Sequence, residues 1–275
     1  MSRNTTLALR IAAVTAAAGL ALTGCAASGD DTAASGSADL GTISVGATAV
    51  PAGEILTFVK DNLAEEAGLT IEIQEYTDYT TPDPALSQGA NDANLFQHKP
   101  FLDTYNENSG DDLVSVGEVY LPPLALYSND FESVEDLPEG ATLALPNDAS
   151  NESRALLLLA ESGLIETTDA PVTVDDITAN PKNIVFSEID AASLPTALQQ
   201  QDAAIVNFNY AAAAGLSADL QIVTESDDSS YFNVLATRAE LEDDPRVAKL
   251  YELLTSDETK AFIEEQYSGL VIPVS

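Results

Sequence analysis

From residue 41 to the end of the chain, short alternating runs of apolar and polar residues take turns with helical ones. Residues 42–46 (TISVG) alternate with the period of two that a strand's pleat requires, 54–67 has helical spacing and meets Gly68 as a stop, and 70–75 (TIEIQE) alternates again. Strand, helix, strand in that order predicts the opening of an α/β layer with parallel strands. The pattern continues with a short helix at 85–88, a strand near 93–96, a helix from about Pro100, and strands at 113–119 and 124–127 flanking Pro122 and Pro123. A second round follows: a strand at 141–145, a helix after Pro146, a strand at 183–186, a short helix at 194–200, a strand at 203–206 and a helix at 210–214. Late strands fall at 221–223 and 233–236, and the tail over 244–267 reads as helical with a break near Ser256 and Asp257. No internal repeat recurs at a fixed period. Two successive rounds predict two lobes, one from 41–127 with 231–275 and the other from 128–230.

The helix of the second round, within PNDASNESRALLLLAESG (146–163), carries the most chemistry. Ser150 or Asn151 is the expected N-cap, because short polar side chains satisfy the free N–H groups of a first turn. Leu156 to Ala160 make the helix apolar nearly all round, which predicts burial, and Gly163 stands where a left-handed glycine ends a helix. A helix start offers free donors and a positive dipole end, and Arg154 adds a guanidinium that can grip a carboxylate in two places. The same residues also fit a capped core helix whose arginine makes an ordinary ion pair. Three further polar clusters follow predicted strands: Thr77-Asp78-Tyr79, Phe96-Gln97-His98 and Asn207-Phe208-Asn209-Tyr210. In open parallel sheets ligands sit outside the carboxyl ends of the strands, so these clusters would converge on a cleft between lobes.

Charge narrows the function. The chain has 10 basic and 45 acidic residues, and setting aside Arg3 and Arg10 in the leader leaves a net charge of −37. Nucleic acid is excluded as a partner, and so is electrostatic adhesion to anionic headgroups. Acidic residues spread along the chain read as a solvated surface. One cysteine, Cys25, rules out an intramolecular disulfide and a thiolate zinc site, and one histidine, His98, leaves the usual metal and general-base sets without members. No cofactor is expected. Residues 1–24 read as an export signal: a positive start, then an apolar run from Ile11 to Leu22 that is too short to span a bilayer core of ~30 Å. Leu22-Thr23-Gly24-Cys25 closes it, and 26–39 is a small-residue tether without apolar period. The tetrapeptide resembles the bacterial lipobox, in which the cysteine is acylated after cleavage. The alternative is a buried structural cysteine. Two or more acyl chains hold a protein stably at a membrane.

Six segments carry a wider resemblance: VGATAVPAGEIL (45–56), EYTDYTTPDPAL (75–86), DANLFQHKPFL (92–102), PNDASNESRALLLL (146–159), AAIVNFNYA (203–211) and YSGLVIPV (267–274). Together and in order, behind a lipobox, they resemble the NlpA/MetQ family of lipoproteins, the substrate-binding components of methionine ABC importers. The resemblance implies a two-lobed periplasmic-binding fold, each lobe a mostly parallel sheet flanked by helices, closing on a free amino acid, usually methionine. It implies a monomer anchored through Cys25 at the extracytoplasmic face of the cell membrane, with an ABC permease and its ATPase as partners and no bond made or broken. Matched motif to motif, Arg154 would hold the ligand carboxylate with help from the helix start near Asn147 and Asn151. Asn207 and Asn209 would take the ammonium group, and Tyr79, Phe96, His98 and Tyr120 would form the side-chain pocket. Aromatic rings also contact a thioether favourably. The chain departs from the family pattern at Tyr120, Pro122 and Leu124, where many relatives carry histidine, glutamate and methionine, and at Ala52, where a further histidine is usual. Amino-acid binding is therefore implied more firmly than methionine specificity. Three other readings remain: a different small amino acid or dipeptide, an enzyme on a similar scaffold, and an interaction lipoprotein with a vestigial pocket.

Overall fold

The computed structural model describes residues 39–275; the expected signal, Cys25 and most of the tether lie outside the described residues. The first round gives β1 (Gly41–Thr48), α1 (Glu54–Asn62), β2 (Leu69–Tyr76), α2 (Pro82–Ser87), β3 (Ala93–His98), α3 (Lys99–Ser109), β4 (Leu113–Leu121) and β5 (Ala125–Tyr127). The second gives β6 (Thr142–Pro146), α4 (Ala149–Glu161), the small hairpin β7 (Glu166–Thr167) and β8 (Ile177–Ala179), β9 (Val185–Ile189), α5 (Leu194–Ala197), β10 (Ala203–Val206), α6 (Phe208–Ala213) and β11 (Gln221–Thr224). The chain closes with β12 (Asn233–Arg238), α7 (Pro245–Leu254), α8 (Asp257–Tyr267) and β13 (Ile272–Pro273). The helix expected over 54–67 ends at Asn62 and continues as turns.

The strands form two main sheets, ordered β13-β4-β12-β3-β1-β2 and β11-β5-β10-β6-β9. Each is mixed rather than mostly parallel. The parallel part is β3-β1-β2 in one and β10-β6-β9 in the other, as strand–helix–strand units require. The antiparallel ladders come from strands that change sheets. β5 pairs with β10 and β11, whereas β12 returns to lie between β3 and β4. The strand at 125–127, read from sequence with the first lobe, thus belongs to the second sheet. The chain crosses between sheets twice, at 122–124 and again at 225–232.

Each sheet has its own core. Ile43, Val45 and Ile71 of the first sheet pack against Ile55, Leu56 and Val59 of α1 and Val247, Leu250 and Leu254 of α7. In the second, Leu143, Leu145 and Ile205 pack against Leu156, Leu158 and Leu159 of α4. Each such buried leucine contributes about 1.5–3 kcal/mol. Leu157, expected to be buried with its neighbours, is 40% exposed, because α4 covers only one face of its sheet. Among the described residues no helix is long and apolar enough to cross a membrane.

Gly163 follows α4 with a φ of 77°, as its position predicts, and nothing lies within 4 Å of where a Cβ would stand. Gly163→Ala is therefore expected to cost about 1 kcal/mol or a little more through backbone strain alone. Urea unfolding checks this, and an unchanged midpoint would show that the turn is not held left-handed.

Candidate ligand-binding site

A small cavity lies where the two sheets face each other. Its lining includes Arg154, Asn151, Asn207, Asn209, Tyr79, Phe96 and His98 from the sequence prediction, joined by Gln97, Phe101, Pro122, Phe208, Asn233 and Pro51. Two expected members are elsewhere. Asn147 is exposed at the end of β6, its backbone N–H donating to the Ile189 carbonyl. Tyr120 is fully buried behind the lining, where its hydroxyl accepts from Asn233 Nδ2 at 3.1 Å.

The start of α4 is set by Asp148 and not by Ser150 or Asn151: the Asp148 carboxylate accepts from the Asn151 backbone N–H at 3.0 Å. An aspartate at that position both caps the turn and suits the dipole. Asp148 also accepts from Asn151 Nδ2 at 3.0 and 3.1 Å, which turns the Asn151 Oδ1 toward the cleft side of the helix. That oxygen receives Asn207 Nδ2 at 2.8 Å and faces His98 Nε2 at 3.3 Å. His98 Nδ1 accepts from the Phe101 N–H at 3.2 Å and so carries no proton, which places the ring's hydrogen on Nε2, donating to Asn151. Burial, reinforced by Arg154, lowers the His98 pKa to about 3, so the ring is neutral at any ordinary pH. A bond from β3 to α4 thereby joins the two lobes without a charge.

Asn207 stands at the N-terminus of α6, yet its side chain makes no capping bond there. Its Nδ2 is committed to Asn151, and its Oδ1 is buried with no hydrogen-bond partner. A buried acceptor left unpaired costs about 1–3 kcal/mol, unless something arriving in the cavity donates to it. Asn209, two residues on, accepts from the Tyr79 hydroxyl in a second contact between lobes.

Arg154 is 2% exposed. Its Nε donates to Glu225 Oε1 at 2.9 Å, its Nη2 donates to Glu225 Oε2 and, at 3.1 Å, to the Pro122 carbonyl, and its guanidinium carbon lies 4.6 Å from the Tyr231 ring centre. Nη1 makes no protein hydrogen bond among the described residues. Part of the guanidinium is thus held by the protein's own carboxylate, and one nitrogen is left over. The apolar side of the cavity is a triangle of rings: Tyr79, Phe96 and Phe101 have centroids 5.8–5.9 Å apart. Such tilted and edge-on pairs make a socket for an apolar side chain. The arrangement offers a cationic donor, a neutral acceptor and an aromatic pocket in one cavity. Glu225, Tyr231 and Asn233 went unassigned in the sequence reading; the signal that could have found Glu225 is that a buried arginine needs a carboxylate.

The sequence model of the family described as NlpA lipoprotein matches residues 43–275. A nutrient-binding protein from Burkholderia cenocepacia, whose structure was solved bound to methionine, is 43% identical, with a TM-score of 0.82 over 85% of this chain and 100% of that one. The methionine-binding lipoprotein MetQ of Bacillus subtilis (strain 168) is 37% identical over 240 residues, 83% of this chain and 86% of its own length. The D-methionine-binding lipoprotein MetQ of Salmonella typhi is 39% identical over 212 residues, 74% of this chain and 78% of its own. A match over 43–275, with relatives this similar over most of their length, settles the membership: this chain belongs to the NlpA lipoprotein family.

Proposed function

We propose that this chain is the lipid-anchored substrate-binding protein of an ABC importer and that its ligand is a free amino acid, methionine first among candidates. The observation that carries the reading is one buried cavity holding both Arg154 and the unpartnered Oδ1 of Asn207 beside the aromatic triangle. An α-amino acid brings a carboxylate for the free Nη1, an ammonium group for Asn207 Oδ1, and a side chain for the rings. Charge-assisted bonds of this kind are about twice as strong as neutral ones. The protein is a binder and not an enzyme, and the names of its relatives support that reading. Anchorage would be through acylated Cys25 at the extracytoplasmic face, with a permease and its ATPase as partners. The lobes would divide at the two crossings, 41–121 with 233–275 against 125–224, and close over the ligand about 122–124 and 225–232.

Mass spectrometry of ligand carried through purification, followed by calorimetry with L-methionine, D-methionine, methionyl dipeptides and other small amino acids, tests this. Unchanged methionine released on denaturation, with tight rebinding, is the expected result. A dipeptide or another amino acid in its place would correct the specificity. Turnover of any candidate would make the protein an enzyme, and no binding at all would leave an interaction lipoprotein with a vestigial pocket.

A further inference from the structure

Behind the cavity wall, where α2 packs on β3, lies a polar cluster that the ligand scheme does not use. Asp83, Asn94 and Gln97 are 1%, 0% and 3% exposed. A single carboxyl oxygen of Asp83, Oδ1, accepts from both Asn94 Nδ2 at 2.8 Å and Gln97 Nε2 at 2.5 Å, while Gln97 Nε2 also reaches Asn94 Oδ1 at 3.2 Å. The other carboxyl oxygen, Oδ2, has no partner, and neither has Gln97 Oε1.

An ionised carboxylate buried this deeply needs donors on both oxygens. Here the two unpartnered atoms belong to the two side chains that are already joined, one on each. A proton on Asp83 Oδ2 satisfies both, because a carboxylic acid and a primary amide can pair edge to edge, N–H to the acid carbonyl and O–H to the amide carbonyl. We propose that Asp83 is the neutral acid of such a ring, its proton taken from solvent, and that it is a positioning residue fixing Gln97 in the cavity wall between Phe96 and His98. The assignment does not depend on which ligand the cavity takes.

Among the described residues no cation stands against Asp83 to hold it ionised. β12 brings Arg238, which is engaged by the Leu86 and Asn91 carbonyls and by Glu240. Asp92, ahead of β3, lies beside Arg246, Tyr105 of α3 donates to Asp111, His98 is neutral, and β1 carries no titratable residue. Burial raises the Asp83 carboxyl from 3.8 to about 6, against the hydrogen bonds from Asn94 and Gln97, which favour the anion. The acid-to-amide bond exists only in the neutral form and moves the transition further up. Because the folded value lies above the unfolded one, the stability this group contributes is complete below about pH 4 and is lost as pH rises through the folded value.

Thermal unfolding of the mature chain and of Asp83→Asn, from pH 4 to 8, tests the assignment. Asparagine closes the same ring without a proton, so the Tm of the variant minus that of the wild type should climb between pH 4 and about 7 and then level. A flat difference overturns the neutral acid. Should the variant not fold, the carboxyl carbon-13 resonance of Asp83 in the wild type decides: a midpoint at or above 6 supports the ring, and an ordinary midpoint near 4 overturns it. For the positioning role, the L-methionine dissociation constant of the wild type should rise about threefold or more from pH 5 to 8, a span that takes Asp83 through its titration, while that of Asp83→Asn stays level. Matching pH profiles overturn that role. If the wild type binds no methionine, the proposed function fails, and the melting and resonance measurements still decide the state of Asp83.

Discussion

Arg154→Met is expected to weaken ligand binding by roughly thirtyfold to several thousandfold, the equivalent of ~2–5 kcal/mol for removing one partner of a buried charge pair. It should also be the binding-site change that most damages the fold. Glu225, whose side chain is only 11% exposed, gives both oxygens to Arg154, and without the guanidinium it becomes a buried, unpaired charge. Breaking such a pair costs about 3–5 kcal/mol. The double change Arg154→Met with Glu225→Gln removes both charges, so stability should return while binding does not. Chemical denaturation and calorimetry on the three proteins separate the two effects. If Arg154→Met bound ligand as tightly as the wild type, the arginine would be only an internal ion-pair partner, the alternative that the sequence left open.

Asn207→Leu should show the opposite balance. The amide gives one bond to Asn151, whose Oδ1 still faces His98 Nε2, and it leaves Oδ1 buried and unpartnered. Replacing it by an apolar group of similar size removes a lost hydrogen bond and an unpaired acceptor together, so stability should change by less than about 1 kcal/mol. Affinity should fall by roughly tenfold to a hundredfold or more, because a hydrogen bond to a charged group contributes ~1.5–3 kcal/mol. Calorimetry with methionine beside a melting curve checks both. A large drop in Tm with unchanged affinity would place Asn207 in the scaffold and not at the ligand.

How much of this was legible varies by residue, for physical reasons. β10 was read to the residue, because AAIV is a short apolar run bounded by Asp202 and Asn207. The mixed sheets were not, because pairing direction depends on which sheet a strand returns to. The first crossing was not read either, since 125–127 was placed with the first lobe, although Pro122 and Pro123 were there to mark it: two prolines cannot stand inside a paired strand, and the sheet change falls on them. At the start of α4 the run Asn147-Asp148-Ala149-Ser150-Asn151 offers several capping side chains, and local propensity does not rank them. The fold chooses Asp148, which frees Asn151 to reach across to Asn207 and His98. Arg154 and Asn207 were singled out because their neighbours carry a family pattern. Glu225 was not, since in ESDDSS it looks like any other acid of a solvated loop, and only the return crossing brings it 71 residues along the chain to Arg154.

The two crossings are themselves tied together. The Glu225 backbone N–H donates to the Leu124 carbonyl at 2.9 Å, the Leu124 N–H donates to Glu225 Oε2 at 3.1 Å, and Arg154 holds the same carboxylate while also bonding the Pro122 carbonyl. The atoms that would sense an arriving anion would therefore also set the stiffness of the proposed pivot. A solute that drew the guanidinium away from Glu225 would loosen the joint as it docked, so in the proposed closure occupancy and ease of bending would be governed by one shared junction.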